Sequence, residues 1–242
     1  MIVMAVINKI SNVYNSVYSS VFMATIAGFS DVFTFISLNH MFSAHVTGNV
    51  IIAISLLVHG VGGGFGSLKV LLSVIPVYII VCIIMSLFFD IHGLSKKCLS
   101  IWMLIECFLY LILMIIGLTF LSKIDIYSWT YVVICMIPIV AMSIHNLAMV
   151  SFFCKLPPTT VITGDVARVL FGFTNIFFIK SFVQGNDALK EKTKHLFFLV
   201  LGFVVGALVA AFGCYYLGFY AIIYVICIYI FFILFCLNSL SD

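Results

Sequence analysis

Charge is the property this chain has least of. Only 8% of its 242 residues are Asp, Glu, Lys or Arg, whereas 65% are apolar. An average soluble domain carries about 25% charged residues, so this chain has too little charge to cover a soluble globule. Its basic residues, 10 Lys and one Arg, are scattered along the sequence rather than clustered. The pattern argues against a nucleic-acid-binding surface and against an enzyme acting on acidic polymers.

Motifs for cofactors and catalysis are also absent. The sequence contains no phosphate-binding G-x-x-x-x-G-K-[ST] loop, no H-E-x-x-H, no nucleophile elbow and no C-x-x-C spacing. We therefore expect no enzyme activity, no cofactor and no metal site. A removable signal peptide is not expected, because the apolar run after residue 17 lacks a cleavage site. The cysteines are expected to be small buried hydrophobes: Cys82, Cys98, Cys107, Cys135, Cys154, Cys214, Cys227 and Cys236.

What the sequence has is long apolar runs. Runs of eighteen or more apolar residues are typical of transmembrane helices. Hydropathy predicts six full spans, at residues 17–41, 68–89, 99–121, 129–153, 195–216 and 218–237. The sequence therefore predicts an all-α, polytopic transmembrane helix bundle forming a single membrane domain over residues 1–242.

Two shorter apolar stretches, 48–58 and 161–183, are ambiguous. Each follows an element that cannot continue the preceding helix. Before the second stretch, Pro157 and Pro158 remove two backbone donors, so 156–160 is predicted to be extended chain. Loops are predicted after each short helix, at 60–66 and 184–194.

The two short stretches open with similar motifs. Val46-Thr47-Gly48-Asn49 and Ile162-Thr163-Gly164-Asp165 each combine a β-branched residue, Thr, Gly and Asn or Asp. Asp31 precedes the first motif by about the same distance as Asn146 precedes the second. The same order of features, found twice, indicates a tandem duplication with repeats at 18–122 and 129–238.

These residues resemble the YoaK family of small bacterial membrane proteins, a group whose domain has no known function. The runs that carry the resemblance are 28–35, 45–49, 159–165 and 202–208. The chain departs from the family at Asn39-His40, where small residues are usual, and at Asp165, where a neutral residue is more common. The resemblance implies a bacterial inner-membrane protein with about six spans, and it assigns no activity.

Charge bias separates six crossings from eight. With six crossings and the N-terminus inside, nine basic residues face the cytoplasm (Lys9, Lys96, Lys97, Lys155, Arg168, Lys180, Lys190, Lys192 and Lys194) and only Lys69 and Lys123 face out. Eight crossings leave seven inside against three outside, which is the weaker positive-inside bias. The sequence therefore favours six spans plus two short, re-entrant helices. An odd number of crossings per repeat makes the repeats inverted.

Three acids lie within apolar stretches, where a charge costs a few kcal/mol and usually has a partner. Asp31 and Glu106 are candidates for proton coupling, and Asp165 lies one turn before Arg168, within reach of an ion pair. Each also has a structural interpretation: Asp165 as a helix N-cap, Arg168 as its neutralising partner, and Asp31 and Glu106 as hydrogen-bonding acids.

Half-helices whose N-termini point into a membrane present free N–H groups and a positive dipole end. The duplicated motifs are therefore predicted to form a paired site for a small polar or ionic solute. Its candidate residues are Asp31, His45, Thr47, Gly48, Asn49, Asn146, Thr163, Gly164, Asp165 and Arg168.

The leading functional prediction is a secondary transporter or permease in the bacterial inner membrane, with the lipid bilayer and a small solute as partners. The alternative is a non-transporting scaffold or assembly factor in which the motifs serve packing alone. An intramembrane enzyme acting on lipid is a third class, and no nucleophile and base pair supports it. Assembly into homo-oligomers stays open.

Overall fold

The computed structural model describes residues 17–59, 68–152, 162–178 and 187–238. The helices in these ranges are α1 (Val17–Ser37), α2 (Val46–His59), α3 (Leu68–His92), α4 (Lys96–Thr119), α5 (Trp129–Phe152), α6 (Ile162–Phe178), α7 (Asp187–Leu217) and α8 (Ile222–Asn238). Short 3-10 turns, Leu121–Lys123 and Gly218–Ala221, follow α4 and α7. No strand occurs in the described ranges, which confirms the all-α prediction.

Four helical stretches in the described residues are long and apolar enough to cross a membrane: Leu68–Ile91, Lys97–Thr119, Trp129–Phe152 and Leu189–Leu234. The last has 46 residues, and a straight helix of that length would be roughly 69 Å long. Gly218 divides it into α7 and α8, because its φ of 57° breaks the helix. Two shorter apolar helices, Val21–Ser37 and Val46–Val58, belong to α1 and α2. This composition is compatible with a membrane location.

The helix boundaries follow the apolar runs closely, and the larger differences lie at the end of α1 and at the starts of α7 and α8. α8 begins at Ile222, four residues after the predicted start. α1 ends at Ser37, four residues before the predicted end. The predicted loop 184–194 is wrong from residue 187 onwards, because α7 begins at Asp187. Residues 187–194 include Ala, Leu, Lys and Glu, which favour helix strongly enough to extend the apolar helix outwards. The predicted extended segment 156–160 and the predicted loop 60–66 lie outside the described residues.

A left-handed turn reverses the chain after α1. Asn39 and His40 have φ values of 56° and 65°, a region that asparagine tolerates better than most residues. The His40 ring packs edge-on against Phe35 with the ring centroids 4.9 Å apart, which supports the less favourable position. Because of this turn, residues 41–45 fold back against α1 before α2 begins.

Contacts between helices fix their relative directions. α3 and α5 run parallel, since Lys69 lies over the Trp129 ring near their starts and Phe89 packs on Phe152 at their ends. α1 and α7 also run parallel, as shown by two contacts at opposite ends: Gly202 against the Val21 carbonyl, and Cys214 against Ser37. α8 runs opposite to α1, because Phe22 packs on Phe232 and Phe33 packs on Phe219.

The packing scheme relates the first four helices to the last four. Each contact in one set has an equivalent in the other. The α1–α7 contact corresponds to α5–α3, the α2–α3 contact to α6–α7, and the α4–α5 contact to α8–α1. α4 and α8 pack on each other. Exchanging helices α1–α4 with α5–α8 leaves this scheme unchanged. At its centre lies α5, whose most apolar window is 72% buried, compared with 22% for α3 and α4.

Glycine allows the closest of these contacts, between α1 and α7. A Cβ atom at Gly206 would overlap the Thr25 carbonyl, and one at Gly28 would overlap the Phe203 carbonyl. Gly202 and Gly206 form a G-x-x-x-G pattern, which allows two helix backbones to approach each other in a membrane. α1 and α7 therefore contact each other backbone to backbone at Gly28, about one helical turn before Asp31.

Candidate functional site

The Asp31 carboxylate holds the segment that folds back after α1. Its Oδ1 accepts hydrogen bonds from the backbone N–H of Ala44, at 2.6 Å, and of His45, at 3.3 Å. Its Oδ2 pairs with Nδ1 of the His45 ring. Asp31 is buried, whereas the His45 side chain is 28% exposed and packs edge-on against Phe203 of α7. The first acid predicted from sequence is therefore paired with a histidine that was also predicted as a site residue.

Asn49 forms a second clamp on the same segment. Its Oδ1 accepts from the Phe42 N–H at 2.8 Å, and its Nδ2 donates to the Phe42 carbonyl at 2.7 Å. Asn49 is fully buried in the first turn of α2, and a Cβ atom at Gly48 would meet the Phe42 ring at 2.8 Å. Asn49 therefore reaches back to hold residue 42 and is not an N-cap of its own helix.

The second motif does not reproduce this clamp. Asp165 is the fourth residue of α6, as Asn49 is of α2, so it is not an N-cap. Its Oδ1 pairs with Arg168 Nη1 at 3.0 Å, as the sequence spacing predicted. The residue seven positions before Asp165 is Pro158, which has no N–H to donate and lies outside the described residues. A carboxylate also lacks the amide donor of asparagine, so the two motifs differ chemically at both ends of the clamp.

Asn146 and Asp31 meet at one residue. Asn146 of α5 donates from Nδ2 to the Ala44 carbonyl at 3.4 Å, while Asp31 of α1 accepts from the Ala44 N–H. The side chains that the sequence predicted to be counterparts thus hold the two polar backbone groups of Ala44 from opposite sides. The segment 41–45 is consequently fixed to α1, α2 and α5 at once.

A second polar cluster, the central cluster, lies where α4, α5 and α8 meet. It consists of Glu106, His145 and Tyr229, and all three are fully buried. Glu106 Oε2 lies 3.3 Å from His145 Nδ1 and accepts a 2.7 Å hydrogen bond from the Tyr229 hydroxyl. A buried carboxylate next to a buried imidazole is a second carboxylate–histidine pair within the apolar interior.

Two tyrosines connect the central cluster with α1. The Tyr110 and Tyr229 rings are tilted against each other with centroids 6.1 Å apart, at the contact between α4 and α8. The Tyr110 hydroxyl donates to Ser30 Oγ at 2.6 Å, and Ser30 precedes Asp31. The hypothesis from sequence included Glu106 but missed Ser30, Tyr110 and Tyr229. One signal was available, because tyrosines in the middle of apolar runs need polar partners.

Several buried polar atoms in the described part have no protein partner. Glu106 Oε1 and His145 Nε2 belong to the central cluster, and Asn146 Oδ1 lies beside the segment 41–45. Buried polar atoms are nearly always hydrogen-bonded, so each is suited to bind a water molecule or a polar group of a solute. The region therefore combines two carboxylate–histidine pairs with several further hydrogen-bonding atoms.

The remaining predicted residues lie elsewhere. Thr47 and Thr163 are exposed, and Gly48 and Gly164 are half-buried. The two motifs belong to different helix pairs, since α2 packs on α3 and α6 packs on α7. Arg168 is 57% exposed at its side chain, in contrast to buried Asp165.

Metal-ligating residues are not grouped in the described residues, where no three His, Cys, Asp or Glu side chains could hold an ion together. The six cysteines whose side chains are described are free thiols. The expectation that they are buried is wrong for Cys227, which is exposed, and holds fully for Cys98 and Cys135; the other three are half-buried. An exposed cysteine among apolar side chains still behaves as a small hydrophobe.

Comparison with known proteins gives one result. Neither the curated proteins nor the solved structures contain a match to the chain. A family model described as "Protein of unknown function (DUF1275)" matches residues 19–236, which run from the first turn of α1 to the last turn of α8. Since that match covers nearly the whole sequence, the chain belongs to the DUF1275 family, whose function is unknown.

Proposed function

We propose that the protein is a secondary transporter that couples the movement of one small polar or ionic solute to protons, and that it catalyses no reaction. The observation that supports this most is the presence of two carboxylate–histidine pairs, Asp31–His45 and Glu106–His145, inside an apolar bundle. In a membrane interior, ionisable residues commonly mark proton relays and solute pathways.

Stability alone does not account for two such pairs. Burying an ion costs several kcal/mol, and replacing a buried ion pair by apolar side chains is often neutral or stabilising by about 1–4 kcal/mol. Proton binding would give each pair a function, because it changes the net charge of the pair. A carboxylate beside a neutral imidazole carries one negative charge, and one added proton brings the pair to zero, which is the state that moves most easily through a low-dielectric interior.

Asp31 links proton binding to a movable segment. The same carboxylate that pairs with His45 also holds the Ala44 N–H, so a proton added to Asp31 weakens its grip on residues 44 and 45. The segment leads directly into α2. We infer that proton binding at Asp31 releases the start of α2, and that the solute binds next to it, contacting Asn146 Oδ1 and His145 Nε2.

The helix directions support a six-span topology with two inverted repeats, 18–122 and 129–238. α1, α4 and α7 run one way and α3, α5 and α8 the other. The chain that joins α1 to α3 and contains α2 therefore leaves and re-enters on one side of the bundle, and the chain that joins α5 to α7 and contains α6 does so on the opposite side. This is the arrangement expected when each repeat holds three crossings and one re-entrant helix. We further propose a bacterial inner-membrane location, from the YoaK resemblance, and a cytoplasmic N-terminus, from the lysine bias.

Site-directed labelling tests the proposal. In a cysteine-free variant, single cysteines replace Thr47 or Thr163, and a membrane-impermeant maleimide is added to either side of sealed vesicles at pH 6 and pH 8. We expect labelling of the two positions from opposite sides, and the ratio of the rate at position 47 to the rate at position 163 should change with pH. The ratio is used because the rising thiolate fraction speeds both reactions at pH 8. Asp31→Asn should remove that pH dependence, and the exposed Asp90→Asn should keep it.

The competing functions give different results in this experiment. If both positions resist the reagent from both sides at both pH values, the interior is dry and the protein is a scaffold. The wild type and the Asp31→Asn variant are compared directly. If the ratio of the two labelling rates changes with pH to the same extent in both, another group titrates and the proposed coupling is wrong.

A further inference from the structure

A groove separates α6 from the first turns of α7 on the outer surface of the bundle. Its walls are apolar and include Ala167, Phe171 and Leu196, and two cations, Arg168 and Lys192, lie at its rim. Its volume is about 490 Å³, within the range of small-molecule sites in proteins. We call it the α6–α7 groove.

The groove lies where the sequence of α7 changes from charged to apolar residues. Residues 187–194 contain three lysines, whereas the residues that follow His195 are almost all apolar. A helix that changes from charged to apolar within two turns enters a bilayer at that point. The cationic rim is therefore at headgroup level, and the apolar walls continue towards the acyl chains.

The cations of the rim are arranged to bind an anion. Asp165 engages Arg168 through Nη1, so one guanidinium nitrogen is used and the planar fork is held in place. Lys192 is exposed on the neighbouring helix, and Gly172 lets α6 approach α7 closely, because a Cβ there would overlap Thr193 Oγ1. Arg168 and Lys192 carry two positive charges against one carboxylate, which leaves an excess suited to a phosphate group.

We propose that the α6–α7 groove binds an anionic phospholipid, with the phosphate between Arg168 and Lys192 and one acyl chain along the exposed side chains of Leu170 and Phe171. The apolar walls favour a lipid over a free phosphate ion, since an acyl chain can pack along them and an inorganic ion has no apolar part. This inference goes beyond the proposed function and does not depend on it.

Lipid titration in nanodiscs tests the site. The purified full chain is incorporated into nanodiscs of phosphatidylcholine with increasing phosphatidylglycerol, and retained phosphatidylglycerol is measured by native mass spectrometry. Because a basic residue at a membrane surface contributes about 1 kcal/mol towards anionic lipid, Lys192→Gln should weaken binding roughly fivefold. Arg168→Lys should also weaken it while retaining the charge next to Asp165, because it removes the planar fork.

Three outcomes distinguish the possibilities. Lys123→Gln, at the loop between α4 and α5, is the matched control and should bind phosphatidylglycerol like the wild type. Equal binding by wild type and Lys192→Gln would overturn the proposal, and Lys192 is exposed, so this variant should fold. Sodium phosphate that displaces phosphatidylglycerol at low millimolar concentration would show a free-phosphate site and refute the assignment to lipid.

Discussion

The clamp between Asn49 and Phe42 makes a quantitative prediction. Asn49→Ala removes two hydrogen bonds of 2.8 Å and 2.7 Å and leaves the backbone N–H and C=O of Phe42 unpaired beside a fully buried position. A buried polar group left without a partner costs about 1–3 kcal/mol, so two such groups set a range of roughly 2–6 kcal/mol. Interhelical hydrogen bonds in membranes average only about 0.6 kcal/mol, which favours the lower part of that range, about 2 kcal/mol.

Asn49→Asp refines the expectation, because it introduces the residue found at the matching position of α6. Aspartate keeps an acceptor for the Phe42 N–H but loses the donor to the Phe42 carbonyl, and it places two oxygens near each other. We therefore expect a loss of stability comparable to that of Asn49→Ala despite the smaller change in volume.

Reversible unfolding in mixed micelles, followed by tryptophan fluorescence, measures these differences in the free energy of unfolding. Thr47→Ala is the matched control, two residues away on the same helix and exposed, and should change stability by less than about 0.5 kcal/mol. If Asn49→Ala is no more destabilising than Thr47→Ala, the clamp does not fix the segment 41–45 and the reasoning is refuted.

Other consequences of the structure can be measured directly. Reporter fusions at Gly62, which lies outside the described residues, and at Lys190 should fall on opposite sides of the membrane; the same side for both would exclude inverted repeats. Gly206→Leu should destabilise the protein by at least about 2 kcal/mol in thermal unfolding, because its side chain would overlap the backbone of α1, and an unchanged midpoint would contradict the close packing. His145→Ala should cost about 3–5 kcal/mol by stranding Glu106, and the double variant with Glu106→Gln should recover part of that loss; additive effects would show that the two residues do not interact.

Much of the helix arrangement is predictable from sequence because it depends on local properties. Apolar run length determines where α3 and α5 begin, and the spacing of Asp165 and Arg168 within one helix is enough to predict their ion pair. Because of charged residues, the predicted starts of α4 and α7 are too late. Helix-favouring side chains continue both helices beyond their apolar parts.

The carboxylate–histidine pairs were not predictable in the same way, because each depends on how distant segments meet. Asp31 reaches His45 only because two residues after α1 adopt left-handed backbone angles, which no apolar pattern encodes. Glu106 and His145 are 39 residues apart on different helices, and only the packing of α4 on α5 brings them together.

The contact between α1 and α7 also bears on how the chain is made. Asp187, the first residue of α7, is synthesised 170 positions after Val17, the first residue of α1. At a synthesis rate of about 5–20 residues per second, α7 begins to be made roughly 10–30 s after α1. During that interval Gly28 and Thr25 have no α7 beside them, so this contact forms late in the assembly of the protein. Two halves expressed as separate polypeptides would have to find each other through these same glycines, which makes complementation between fragments a direct measure of how much of the fold they specify.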